Sequence, residues 1–399
     1  MASPSALYIH FPFCLSLCPY CDFVVYAGRA ARGPTNQIDT FLQALLAEIS
    51  LRAVRAPLNS VYIGGGTPSL LSAEQVAQLL TVTDRAFGIA ADAEITLEAN
   101  PGAAERGDLA GFHAAGVNRL SIGAQSFDTA ELARLGRRHS PMDIRATVDA
   151  ARFAGIDNVS LDLLYDVPGQ TLESWQATLA EAVSLAPDHL SAYALSLDDP
   201  DLEGLTGPTG DHLPLRPGAR RWRSRARDAQ DVDRAALMYE AADATLGAAG
   251  LDWYEISNWS RPGRESRHNL AYWLGSAWEA VGPGAHAFDG ARTRRWNAAR
   301  LDGYVTALTP ADGSPAQLPP GGSVTTDDAT ATAESLILGL RTRSGVESTA
   351  DNDGLRWALA NDLAELTDLE RLRLTRRGRL VSNEVFERLL PASEAARAA

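Results

Sequence analysis

The chain contains no lysine and only three cysteines among its 399 residues. Its positive charge is entirely arginine, and together with abundant alanine this reflects genomic base composition rather than a functional choice. Acidic residues outnumber basic ones, 50 to 36, leaving a formal net charge of −14 and a pI near 5.0. Such a chain repels the phosphate backbone, so nucleic acid is not expected as a partner. There is no apolar run of the ~18 residues needed to cross a bilayer, and no charged-then-apolar signal segment at the N-terminus. No transmembrane segment and a cytoplasmic location are therefore expected. Three cysteines cannot all pair within one chain, which agrees with a reducing compartment. At 45% hydrophobic residues, the length suits one large globular domain and a smaller one.

All three cysteines fall within eight residues near the start, as Cys14-Leu-Ser-Leu-Cys18-Pro-Tyr-Cys21. Buried structural cysteines scatter over core positions, whereas a metal site needs thiolates converging from one short loop. A closed structural zinc site takes four ligands, and so does a ferredoxin-type cluster. With three thiolates, the alternatives are a Cys3His zinc site using His10 or His268, three unligated thiols, or a cluster with one open iron. The C-x3-C-x2-C loop, with an aromatic at Tyr20 and Asp22-Phe23 after the last cysteine, resembles that of the radical S-adenosylmethionine (SAM) superfamily. The resemblance implies a [4Fe-4S] cluster on Cys14, Cys18 and Cys21, with the amino and carboxylate groups of SAM filling the open iron.

Hydrophobic periodicity then predicts alternating elements. Residues 6–11 read as a strand, and Ile38, Phe41, Leu42, Leu45, Leu46 and Ile49 mark a helix with one buried face. Val61-Tyr62-Ile63 runs into Gly64-Gly65-Gly66-Thr67-Pro68, and Ser72 with Gln75 forms a capping box for the next helix. Further strands are expected at 94–98, 119–125, 159–166 and 189–195, separated by helices capped by Asp128, begun by Pro141 after Ser140, and started after Pro168-Gly169-Gln170. Six such units imply parallel strands with right-handed crossovers. Glu98, Gln125 and Asp162 fall at or near strand C-terminal ends, the working face of such barrels. The expected class is α/β, a radical-SAM-like partial (β/α)6 TIM-like barrel over 1–232 carrying the cluster loop 14–21. An extension at 233–310 and a small winged-helix-like α+β domain at 325–395 follow. Residues 198–232, including Arg216, Arg220, Arg221, Arg223, Arg225 and Arg227, read as a solvated loop or a docking patch for an acidic partner, and 302–328 as a linker.

By position, the remaining polar residues resemble the oxygen-independent coproporphyrinogen oxidase-like family. The resemblance implies that Tyr8, Tyr20, Gly65, Gly66, Thr67 and Glu98 line SAM, and that Gln125, Arg137 and Asp162 stand where that oxidase contacts a second SAM. Glycines suit such a site because backbone approaches a ligand closely there, and no Gly-Lys-Ser/Thr follows that would make this a P-loop. Without the resemblance, Gln125, Arg137 and Asp162 read equally well as a polar network at the barrel mouth.

Two departures from the oxidase pattern separate this chain from it: only seven residues precede Tyr8, and Phe23 stands where the oxidase has a further cysteine. Arg267-His268-Asn269-Leu270-Ala271-Tyr272-Trp273 matches the HNxxYW segment of HemW-type haem chaperones. Trp253 to Trp259 and Gly282-Pro283-Gly284-Ala285-His286 are also similar to that family. The resemblance implies binding of haem and its transfer to acceptor proteins, with His268 as a candidate haem ligand and His286 as a second. It does not imply coproporphyrinogen oxidase activity. The competing reading is a radical SAM enzyme, an oxygen-independent coproporphyrinogen III dehydrogenase or a related methyltransferase.

Overall fold

A computed structural model describes residues 3–31, 36–348 and 352–391, so the last residues of the expected C-terminal unit, 392–395, lie outside the described part. The chain begins with β1 (Ala6–Phe11), α1 (Ile38–Leu51), β2 (Leu58–Gly65), α2 (Ala73–Ala86), β3 (Ile89–Ala99), α3 (Leu109–Ala115) and β4 (Arg119–Gln125). It continues with α4 (Thr129–Arg134), α5 (Pro141–Phe153), β5 (Asn158–Tyr165), α6 (Leu172–Ser184) and β6 (His189–Ala194). The six strands pair in parallel in that order and the sheet does not close, giving the partial (β/α)6 barrel. Ser72, Ser140 and Thr171 cap α2, α5 and α6 with reciprocal capping boxes.

Period-two alternation decides what faces inward. Leu7, Ile9, Val61, Ile63, Leu97, Leu120, Ile122, Leu161 and Leu190 point out to the helix layer and form the main core. Their neighbours Tyr8, Tyr62, Glu98, Ser121, Asp162 and Ser191 line the barrel's hollow interior. The apolar half of each strand builds the fold, and the polar half builds a cavity.

The region read as a loop contains α7 (Pro217–Asp228), a correction with a clear cause. Pro217 sits at the first helical position, where its missing N–H costs nothing, and arginine is a good helix former. Its dense charge hid a face on which Arg223 and Ala226 are buried beside Trp222. After α8 (Val232–Ala248), β7 (Asp252–Glu255) and β8 (Asn258–Ser260) join the outer edge of β6 in antiparallel fashion. Helix α9 (Arg267–Trp273) then leads to β9 (Trp278–Val281), which pairs in parallel with β1, followed by β10 (His286–Phe288) and β11 (Thr293–Asn297). The extension thus adds strands to both edges of the barrel sheet.

The stretch expected as a linker holds the end of this arrangement. α10 (Leu301–Leu308) packs on α1, and β12 (Gly321–Thr325) pairs with β11. Its glycines suggested a linker, but a Cβ at Gly321 would meet Trp296 O at 1.9 Å, so they are there for a close strand approach.

The C-terminal unit runs α11 (Asp328–Leu340), β13 (Val346–Glu347), α12 (Asp353–Ala360), β14 (Ala364–Leu366), β15 (Arg371–Leu374), α13 (Arg376–Leu380) and α14 (Ser382–Glu387), with its own core around Leu355, Leu372 and Val385. Among the described residues no helix is long and apolar enough to cross a membrane.

Candidate cluster and cofactor site

The barrel interior opens into a cavity of about 670 Å³. Tyr8, Cys14, Cys18, Tyr20, Cys21, Gly65, Gly66, Glu98, Gln125, Arg137, Asp162 and His268 all line it. Thr67 does not, but its hydroxyl donates to Cys14 Sγ at 3.4 Å. The sequence-derived candidates, spread over 260 residues from Tyr8 to His268, are brought to one space.

The cysteine loop leaves β1 and crosses the end of β2. Thr67 N–H donates to Phe13 O and Gly66 N–H to Phe11 O, at 2.8 and 2.7 Å. A Cβ on Gly66 would sit 2.6 to 2.9 Å from the loop backbone, and Gly65 has φ of +110°. The glycines therefore let two backbones touch. Gly65 N–H is also taken, by Glu98 Oε2 at 2.9 Å. The N–H groups of Gly65, Gly66 and Thr67 are thus all used within the protein.

Polar groups reach the thiols from behind. Arg137 Nη1 lies 3.8 Å from Cys18 Sγ, while its Nη2 donates to Gly123 O at 2.8 Å and to Asn100 Oδ1. Asn100 donates in turn to Thr67 Oγ1 at 2.9 Å. Sequence reasoning missed Asn100; the strand-end rule that selected Glu98 applies equally two residues later.

Arg223 holds the loop from outside. Only 1% exposed, it donates to the carbonyls of Pro19, Tyr20 and Cys21 at 3.2, 2.9 and 3.0 Å, bonds Asp198 O, and ion-pairs with Asp22. Trp222 from the same helix donates to Arg134 O at 3.1 Å and lies beside Tyr20. The docking patch is not the role of this arginine.

Burial pushes the Cys14 thiol up to about 11, opposed by the Thr67 hydrogen bond, and raises Cys21 as well. Thiols raised in this way become stable thiolates only around a strongly cationic group, as at a metal. Among the described residues no three His, Cys, Asp or Glu side chains gather as one ion would require. Sulfurs standing apart around a loop suit a multi-iron cluster instead. The zinc alternatives also lack a fourth ligand, because His10 places Nε2 at 2.8 Å from Val24 O and Nδ1 at 2.9 Å from Tyr8 OH.

His268 is 2% exposed, with Nδ1 3.0 Å from Ser60 Oγ and Nε2 2.7 Å from Tyr272 OH. Burial lowers its pKa to about 3, and its ring stacks on Tyr62. The carboxylate of Glu94 accepts the N–H groups of Arg267 and His268, fixing the start of α9 against β3. Glu98 accepts from Tyr62 OH at 2.7 Å, and burial raises it to about 7. Asp162 accepts from Ser121 and Ser191, each at 2.9 Å. Gln125 has φ of +65° at an irregularity in the pairing of β4 with β5, which turns the strand end at the cavity mouth.

An open parallel barrel with a three-cysteine loop after its first strand defines a radical SAM protein, and the Radical SAM superfamily model matches residues 8–182. The chain is 39% identical to the heme chaperone HemW of Mycobacterium tuberculosis, over 97% of this chain and 95% of that protein. It is 33% identical to the heme chaperone HemW of Bacillus subtilis, over 95% and 97%. Its fold is similar to the solved structure of the coproporphyrinogen III oxidase HemN of Escherichia coli, a radical SAM enzyme, with TM-score 0.76 and 23% identity over 97% of this chain and 90% of that one. The chain belongs to the HemW family of the radical SAM superfamily.

Proposed function

We propose that this protein is a haem chaperone: it binds haem, carries a SAM-ligated [4Fe-4S] cluster, and passes haem to acceptor proteins. The observation that carries this reading is likeness to haem chaperones along nearly the whole chain, including the segment around His268, and not along the barrel alone. Cys14, Cys18 and Cys21 hold the cluster; Tyr8, Tyr20, Gly65, Gly66, Glu98, Gln125, Arg137 and Asp162 form the SAM side of the cavity, and Thr67 supports it from behind Cys14. A cluster with SAM on its open iron supplies one-electron chemistry at the sulfonium.

The chain's own residues exclude water with Tyr8, Tyr20 and Tyr62 and orient the loop through Arg223. Arg137, Asn100 and Thr67 deliver hydrogen bonds toward sulfur, the kind of contact that sets a cluster's potential. The work is placed in the cytoplasm, where thiols stay reduced.

The test uses anaerobically reconstituted protein. Haemin should give a Soret band in the difference spectrum, and a haem-free acceptor haemoprotein should then recover that haem. Formation of protoporphyrinogen from coproporphyrinogen III with SAM would overturn the non-enzymatic reading.

A further inference from the structure

The floor of the cavity holds a buried cation whose donors the fold does not satisfy. Arg119 opens β4 and Gln125 closes it, and both line the cavity. Six residues of strand at about 3.3 Å each put Arg119 about 20 Å from Gln125, at the opposite end of the barrel. Arg119 is 2% exposed, and among the described residues its Nε has no hydrogen-bond partner. The carboxylate facing it, Glu94, stands with Oε2 3.9 Å from that Nε, too far for a hydrogen bond. Both Glu94 oxygens already accept the N–H groups of Arg267 and His268, and Asp162 likewise accepts from Ser121 and Ser191. Thr96, beside Arg119 in the pairing of β3 with β4, is fully buried, and its Oγ1 is unpaired as well. Leaving the donors of a buried guanidinium unmade is costly, so this position calls for an acceptor from outside the chain.

The chemistry of that acceptor follows from the surroundings. Burial and the charge of Arg119 together hold the pKa of His189 and of His268 well below the usual histidine range. Both imidazoles are closed by their own hydrogen bonds, so what stays open at this end is the guanidinium. Its planar fork of N–H donors matches a carboxylate in bidentate fashion. A phosphate dianion would bring a second negative charge beside Glu94 and Asp162. The other arginines lining the cavity, Arg137 and Arg138, follow one another at the cysteine end, where Arg137 reaches Cys18. The rings of Tyr62, His268 and Tyr272 form one wall of the same cavity, with successive centroids 5.1 and 4.9 Å apart. An organic body, unlike a bare ion, has surface to meet there.

We propose that Arg119 anchors a second ligand subsite at the barrel floor, which takes the carboxylate of a small organic acid while SAM occupies the cysteine end. The subsite goes beyond the haem-chaperone reading and does not depend on where haem binds.

The test is calorimetric titration of the reconstituted protein with 4-bromobenzoate, with and without saturating SAM. The uncharged 4-bromobenzamide and inorganic phosphate serve as controls. The benzoate should bind at one site per chain, at least tenfold tighter than either control and equally well in both SAM conditions. Arg119→Gln should weaken it tenfold or more, and Arg119→Lys, which keeps the charge but loses the fork, severalfold. In wild-type crystals soaked with 4-bromobenzoate, the anomalous bromine signal should lie inside the barrel with the carboxylate on Arg119, which locates the site without any variant. No benzoate binding to the wild type, unchanged binding in a folded Arg119→Gln variant, equal affinity for the amide, competition by SAM, or ordered water alone on Arg119 in the soaked crystals would overturn the subsite. Failure to assemble the cluster would count against the proposed function, whereas titration of the cluster-free protein would still decide this inference.

Discussion

The two ends of the barrel cavity use their polar groups in opposite ways. At the histidine end, His268 bonds Ser60 and Tyr272, and His189 bonds Ser160 and Tyr254, which also accepts from Asn269, so both nitrogens of each imidazole are taken. At the cysteine end, the thiols receive peripheral contacts, among them those from Thr67 and Arg137, while the loop backbone is clamped by Arg223. A closed network fixes shape, whereas a clamped loop with open sulfurs is prepared for something the protein does not itself supply. The proposed function draws its redox chemistry from the cysteine end, while the bonds of the histidine end hold the walls in register.

The largest test is at the open end. Cys14→Ala should abolish the broad visible absorbance of the cluster while leaving far-UV circular dichroism unchanged, because the sulfur is not part of the core. Retained absorbance would remove the distinction between the two ends. Next in size is Arg223→Ala, which removes three loop-carbonyl bonds and leaves Asp22 without its cation. Breaking such a buried group should cost on the order of 3 kcal/mol. Chelator should also strip the cluster at least about tenfold faster, as followed by absorbance decay. An unchanged decay would show that the loop needs no clamp.

The pH dependence of Glu98, between the two ends, has a definite sign. Burial raises it from 4.5 to about 7, against the bonds from Tyr62 and Gly65. The folded state then holds a proton that the unfolded state releases, so its contribution is full below pH 4.5 and is lost as pH rises through about 7. Glu98→Gln should remove a stability loss on the order of 3 kcal/mol across that window. Melting of the cluster-free protein at several pH values measures it, and parallel slopes for both proteins would refute the assignment.

The barrel was legible because apolar and polar residues alternate along parallel strands, so Leu120 and Ile122 announce the core while Ser121 marks the interior. The cysteine loop was legible because its residues are contiguous. Arg223 was not, since a buried arginine in an arginine-rich stretch differs from its neighbours only through carbonyls some 200 residues away. The segment 302–328 misled for a related reason, as glycines needed for a close strand contact look the same as those of a linker. His268 stood out by its motif, but a motif does not show that both of its nitrogens are taken.

The smallest effect is expected at the closed end. In His268→Gln the amide still reaches a hydroxyl partner, but the stack on Tyr62 and one of two polar contacts are lost. The cost should be about 1 kcal/mol, the scale of a buried hydrogen bond exchanged for a weaker one. Because Glu94 holds the start of α9 through backbone N–H groups, the helix stays in place without the imidazole. Haemin affinity should therefore remain within about twofold, since RT ln 2 is about 0.4 kcal/mol and both ring nitrogens are already bonded within the barrel. A loss of tenfold or more in a variant that melts within a few degrees of wild type would move the chemistry to the histidine end.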